Sequence, residues 1–128
     1  MLKAKDIMTS QVVTIRESAW AAEAIDLMKQ HNVHALIVEP GGEDDAYGIV
    51  STADIAYKVI AGAKDPKSVC VREIMTKPCI VVNPDLSVEN VARLFSHYHI
   101  HRAPVIREKL LGIVSISDIT RQAMWWQG

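Results

Sequence analysis

This chain lacks an excess of either charge: 14 Lys and Arg side chains stand against 15 Asp and Glu, for a formal net charge of -1. No basic run of the kind that tracks a phosphodiester backbone breaks that balance, which argues against nucleic acid as the main partner. Long apolar runs are missing too, and stay far below the ~20 residues needed to span a bilayer. The opening Met1-Leu2-Lys3-Ala4-Lys5-Asp6 is too polar to begin a signal peptide, so a soluble, cytoplasmic protein with no membrane partner is expected. Cysteine is scarce. Cys70 and Cys79 lie nine apart with neither a CxxC spacing nor a secretory context, so two thiols packed as small apolar side chains are expected. No glycine loop with a Lys and a magnesium ligand is present to cradle phosphates, and no Ser-His-Asp or Cys-His grouping has local motif context. No catalytic residue is assigned, and an enzyme is not expected.

What the chain does contain, it contains twice. Ile7-Met8-Thr9 returns as Ile74-Met75-Thr76, and Gly48-Ile49-Val50-Ser51-Thr52-Ala53-Asp54-Ile55 returns as Gly112-Ile113-Val114-Ser115-Ile116-Ser117-Asp118-Ile119. A repeated apolar pattern needs only a repeated fold, whereas a Ser and an Asp repeated three apart just after a strand suggest a repeated binding site. From Asp6 to about Val38 the second copy follows at an offset of 67, and from Gly48 onward at 64. The three surplus residues fall in Glu39-Pro40-Gly41-Gly42-Glu43-Asp44-Asp45. Those acids lack the ligand spacing and closing Glu of a calcium loop, so a surface hairpin turn is expected. The boundaries read as repeat 1 over 1–62, a linker over 63–72 and repeat 2 over 73–128. A half of this size is marginal alone, so the two are expected to share a core.

Each copy parses as β-α-β-β-α. Val12 to Ile15 and Cys79 to Val82 are short β-branched runs, hence strands. Ser18 and Asp85 are N-cap types before helical stripes: Ala21, Ala24, Ile25 and Met28 in one copy, Val88, Val91, Ala92 and Phe95 in the other. These helices run to about His31 and Tyr98. Strands follow over Ala35 to Val38 with Tyr47 to Val50, and over Ala103 to Ile106 with Leu110 to Val114. A second helix is expected from Thr52 to about Ala61 and from Ile116 to about Trp126, with Gly62 opening the linker.

In Gly-h-h-Ser-x-x-Asp-Ile, the Ser stands at a strand-to-helix junction and the Asp in the first helical turn, where unpaired N–H groups and the helix dipole favour anions. A carboxylate there can accept from both hydroxyls of a ribose, and the Ser hydroxyl can reach the sugar or a phosphate. The plainer reading is a capped helix start. Duplication of the whole motif favours the nucleotide grip. The alternating His97, His99 and His101 would suit zinc or nickel if all three lay on one strand. The repeat alignment instead puts His97 near a helix end and only His101 at a strand, so no metal site is assigned.

Two β-α-β-β-α units carrying IMT, a PV-type strand and GIVSxxD resemble the paired cystathionine β-synthase (CBS) domains, or Bateman module, from about Lys3 to Met124. The resemblance implies an α/β (α+β) fold of two repeats packed with pseudo-twofold symmetry, with two clefts for adenosine-containing ligands. One cleft would take Ser51 and Asp54 with Thr76, Ile80 and the pair His101-Arg102, whose counterpart in the family reaches ligand phosphate. The other would take Ser115, Ser117 and Asp118 with Thr9, Val13, His34 and Ala35. In that second set Ala35 replaces the Arg and Ile37 the Pro, which weakens phosphate recognition there. The implied function is a stand-alone regulatory module for AMP, ADP, ATP, NAD or S-adenosylmethionine, acting on an unknown regulated protein or on its own assembly. The alternative is a constitutive scaffold with empty clefts. A homodimer is expected, as in the family, because Trp125-Trp126 and Trp20 near element ends need burial against something.

Overall fold

The computed structural model describes residues 1–122. Along the chain these form α1 (Ala4–Ile7), β1 (Thr14–Ile15), α2 (Ala21–His31), β2 (Ala35–Val38), β3 (Gly48–Ser51), α3 (Thr52–Ile55), α4 (Val88–Tyr98), β4 (Arg102–Arg107), β5 (Lys109–Ser115) and α5 (Ile116–Gln122). A π-helical turn, Ala56–Ile60, extends α3, and a 3-10 turn spans Val71–Glu73. The result is a mixed α/β fold of two repeats, β-α-β-β-α in the first copy and α-β-β-α in the second. None of the described helices is long and apolar enough to cross a membrane.

In space the chain divides into a central unit, Val13–Cys79, and a terminal unit in which Met1–Val12 joins the chain from Ile80 on. The expected single core is replaced by two. In the central unit Ile15, Ala21, Ala24, Met28, Leu36, Val50 and Val59 are joined by Val69, Val71 and Ile74. In the terminal unit Val82, Val91, Phe95, Val105 and Val114 are joined by Ala4 and Ile7. Each copy thus gives its opening segment to the core of the other copy's sheet, which enlarges a half that would be marginal alone.

The central sheet runs β1-β2-β3, with β1 parallel and β3 antiparallel to β2. All four residues of β2 are buried, as expected of an aliphatic strand covered on both faces. On the outer edge of β3, Ile49 and Thr76 exchange both backbone hydrogen bonds, at 3.0 and 2.9 Å. The terminal sheet repeats the plan: β4 pairs antiparallel with β5, and Ile113 and Thr9 exchange bonds of 3.0 and 2.8 Å.

Two expectations need correction. Cys79 to Val82 is not a strand; only Val82 forms a parallel bridge, to Val105. In the central sheet Ile37 N donates to Val13 O at 3.0 Å, but its counterpart Pro104 has no N–H, so the matching bond to Ile80 cannot form. The N-caps also fall two residues later than Ser18 and Asp85, at Trp20 and Ser87. Ser87 Oγ accepts from Asn90 N at 3.3 Å, while the α2 start is completed by backbone carbonyls: Ala21 N donates to Val69 O at 2.7 Å and Ala22 N to Pro66 O at 3.0 Å. Asp85 instead meets Arg107 and, at 3.2 Å, Lys5. The helix ends at His31 and Tyr98 are as expected, each followed by a left-handed residue, Asn32 and His99. Among the tryptophans, Trp20 is half exposed, and Trp125 and Trp126 lie outside the described residues.

The repeated glycines have a steric reason. A Cβ on Gly112 would lie 2.7 Å from Thr9 O and 2.7 Å from Met8 Sδ; one on Gly48 would lie 3.1 Å from Thr76 O. The edge segments can therefore lie against β3 and β5 only where the strand has no side chain. Gly112→Ala is expected to cost about 1–3 kcal/mol, from overpacking against backbone, and Gly48→Ala less. Urea denaturation midpoints test this; equal, negligible losses would show that the edge segments can give way.

Asp85 yields a second prediction. Arg107, and after it Lys5, hold its carboxyl down at about 2. A folded-state pKa below the ordinary value of 3.8 contributes stability that is full above that value and disappears as pH falls toward 2. Asp85→Asn is expected to flatten the melting temperature between about pH 4 and pH 2. An unchanged acid slope would assign the acid loss to other carboxylates.

Candidate functional site

The two Ser-x-x-Asp motifs sit where strand becomes helix, at β3 to α3 and at β5 to α5. Each junction is closed by the carbonyl of the residue before the neighbouring strand: Thr52 N donates to His34 O and Ile116 N to His101 O, both at 2.9 Å. His34 and His101 thus contribute backbone acceptors here, a role no side-chain pattern announces, and both are exposed.

Within each junction the Ser and Asp bind one another reciprocally. Asp54 Oδ2 accepts from Ser51 N at 2.8 Å and from Ser51 Oγ at 3.1 Å, while Asp54 N donates to Ser51 Oγ at 3.2 Å. The terminal unit repeats this at 2.8, 3.0 and 3.2 Å between Ser115 and Asp118. These are capping boxes, so the plainer reading of the motif is realised in both copies. Asp118 is only 5% exposed, and burying a polar group costs free energy unless such hydrogen-bond partners are present.

The other carboxylate oxygen meets a cation in both units. Lys58 Nζ lies 3.1 Å from Asp54 Oδ1, and Arg121 pairs with Asp118 Oδ1. Sequence reasoning missed both cations, although spacings of four and three residues on a helix are a readable signal.

The edge segments bring Thr76 to the central junction through Ile49, two residues before Ser51, and Thr9 to the terminal junction through Ile113, two before Ser115. Ser51, Asp54 and Thr76 therefore share one unit, and Thr9, Ser115, Ser117 and Asp118 the other. Ile80, His101 and Arg102 belong to the terminal unit, and Val13, His34 and Ala35 to the central one. Cross-strand register sets Ala35 opposite Ser51 and Arg102 opposite Ser115.

Arg102 is half-buried, and desolvation lowers its pKa. Among the described residues no carboxylate lies within ion-pair distance of it. A guanidinium partly withdrawn from water with no acid beside it favours an anion. The other polar candidates are explained by the fold. His97 is helical, its ring edge-on to Tyr98 with centroids 4.7 Å apart, and His99 is the left-handed cap of α4, so the three histidines do not share a strand. Burial pushes the Cys79 thiol up to about 11, which keeps it protonated and unreactive at neutral pH.

The family model for the CBS domain matches residues 4–61 and 71–124, and the chain belongs to that family. A CBS domain-containing protein of Bacillus subtilis, YhcV, is 35% identical over 126 residues, covering 97% of this chain and 87% of that protein. The hexameric CBS-CP12 protein from bloom-forming cyanobacteria is 55% identical with a TM-score of 0.95, over 99% of this chain and 75% of that one. The CBS domain pair of protein MJ0100, solved in complex with 5′-methylthioadenosine and S-adenosyl-L-methionine, is 29% identical with a TM-score of 0.85, over 99% of each chain.

The capping boxes make a stability prediction that is independent of any ligand. Ser115→Ala and Ser51→Ala should each cost about 1 kcal/mol, the usual loss for an N-cap hydroxyl. Chemical denaturation measures it. A neutral result at both positions would mean that the serines do not serve the helix starts.

Proposed function

We propose that this chain is a regulatory module for adenosine-containing small molecules, in which Asp54 and Asp118 accept hydrogen bonds from ribose hydroxyls and Ser51, Ser115, Ser117, Thr76 and Thr9 complete the polar contacts. The supporting observation is the MJ0100 pair, an equally long relative that carries two adenosine derivatives. Both of those ligands have a ribose with a vicinal diol, which a carboxylate accepts in bidentate fashion. Arg102, half-buried and without a carboxylate partner among the described residues, is the residue we assign to an anionic group on the ligand, as in AMP, ADP, ATP or NAD. His101 and Ile80 are assigned to that ligand as well, and Val13, His34 and Ala35 to a ligand of lower charge. Regulation follows if the ligand binds two arrangements of the protein with different affinity. The regulated partner is a protein of the same compartment, which we take to be the cytoplasm, or a further copy of this chain.

A second reading has its own support. The cyanobacterial relative is hexameric, and this chain exposes Tyr57 at 75% and Ile60 at 58% on the helix that follows β3. Self-association, with a homodimer as its simplest form, is accordingly part of the proposal. A scaffold whose sites stay empty is the alternative to it.

Thermal denaturation separates the two. Adenosine, AMP or S-adenosylmethionine at a hundred times its dissociation constant should add about 2.7 kcal/mol, or roughly 5 to 15 °C for a domain near this size. No shift at millimolar ligand would favour the scaffold. Arg102→Ala should weaken AMP about 10- to 100-fold and leave adenosine nearly unchanged. Equal losses for both would assign Arg102 to the fold.

A further inference from the structure

The carboxylate of Asp54 offers four lone-pair positions. Ser51 N and Ser51 Oγ occupy two of them through Oδ2, and Lys58 Nζ, 3.1 Å from Oδ1, occupies a third. A vicinal diol that donates both hydroxyls to this carboxylate needs two positions, so one occupant must leave. Ser51 N–H is fixed at the end of β3, and the Ser51 hydroxyl is held by Asp54 N at 3.2 Å as well as by the carboxylate. Lys58 is different. Its side chain is 48% exposed, its stem is flexible, and water can replace the carboxylate around its ammonium at small cost.

The same ammonium has a second partner. Lys58 Nζ donates to Ile74 O at 2.9 Å, and that carbonyl shares its peptide unit with Met75 N, which donates to Val71 O at 2.9 Å. One residue further on, Thr76 pairs with Ile49 on the edge of β3. Lys58 is thus held at one point by the candidate ligand carboxylate and at another by the segment that opens the second sequence copy.

We propose that Lys58 couples occupancy of Asp54 to the Ile74-Met75-Thr76 segment: a vicinal diol on Asp54 displaces the ammonium, and the displaced ammonium releases the Ile74 carbonyl. Among the described residues the terminal junction has no such device. Asp118 takes its cation from Arg121, three residues on, whose hydrogen bond among the described residues is to Asp118, and the position matching Lys58 at the offset of 64 is Gln122. Among the described residues, the Asp54 junction alone is tied in this way to the segment that opens the second copy. The ligand-driven half rests on the adenosine reading above; the tie between Asp54 and the segment does not.

The experiment follows the Ile74 carbonyl carbon by NMR in the full chain, since losing a hydrogen-bond donor moves that resonance upfield. Without ligand, Lys58→Met, which keeps the aliphatic stem, should move it, and the isosteric Asp54→Asn should move it in the same direction. The double variant should add nothing to Lys58→Met, and Asp118→Asn should leave it in place. If Asp54→Asn left the resonance at its wild-type position, the tie between carboxylate and segment would be overturned. With ligand, saturating adenosine should carry the wild-type resonance to the Lys58→Met position and leave that variant unmoved, while 2′-deoxyadenosine, which lacks the diol, should not. Adenosine that binds the wild type without moving Ile74 would overturn the gating. Absence of any adenosine binding, with the ligand-free shifts intact, would sink the adenosine reading together with the gating and leave the tie itself established.

Discussion

A pair of backbone hydrogen bonds over a glycine organises each half of this protein. Ile49 with Thr76, and Ile113 with Thr9, bind a segment of one sequence copy to the strand edge of the other, and the segment approaches so closely that Gly112 leaves no room for a Cβ and Gly48 only a tight one. The pairing covers the edge of a short sheet, which would otherwise present unpaired N–H and C=O groups. It carries Ile74 or Ile7 into the core and sets a threonine two residues from the Ser-Asp junction. Sheet closure, core size and site composition therefore depend on one contact in each unit.

On the proposed function, the junctions use the same atoms for structure and for recognition. Before any ligand arrives, each aspartate is already satisfied by a serine hydroxyl, a backbone N–H and a cation. The proposed binding there would be an exchange of hydrogen bonds, so its net free energy is far smaller than a count of contacts suggests. It also means that a ligand perturbs whatever held the carboxylate before. A regulatory module gains from this arrangement, because only a partner that changes on binding transmits occupancy.

Equivalent positions in the two copies have diverged where the chemistry is. Pro104 stands for Ile37 and shortens the strand pairing beside it; Arg102 stands for Ala35 and brings a half-buried cation; the cation on the aspartate comes from four residues away in one unit and three in the other. The backbone plan tolerates these changes because it rests on glycine, aliphatic packing and main-chain bonds. Two junctions of one design are in this way free to differ in the charged groups that surround them.

Much was determined by the sequence alone. The β-α-β-β-α order of the first copy, the helix ends at His31 and Tyr98, and the strand pairs β2-β3 and β4-β5 follow from periodicity, since side-chain spacing along a helix or strand is a local property. The Ser-x-x-Asp motifs were visible for the same reason: a capping box is made by residues three apart. Tertiary structure decided the rest. That each opening segment joins the other copy's core depends on contacts between residues far apart in the chain, and no local pattern encodes them. The start of α2 at Trp20 depends on carbonyls of Pro66 and Val69, and the loss of the strand at Cys79 to Val82 depends on a proline in the neighbouring strand. The second partner of Lys58, the Ile74 carbonyl, became apparent only once the chain was folded, because a hydrogen bond between a helix and a distant segment exists only in three dimensions.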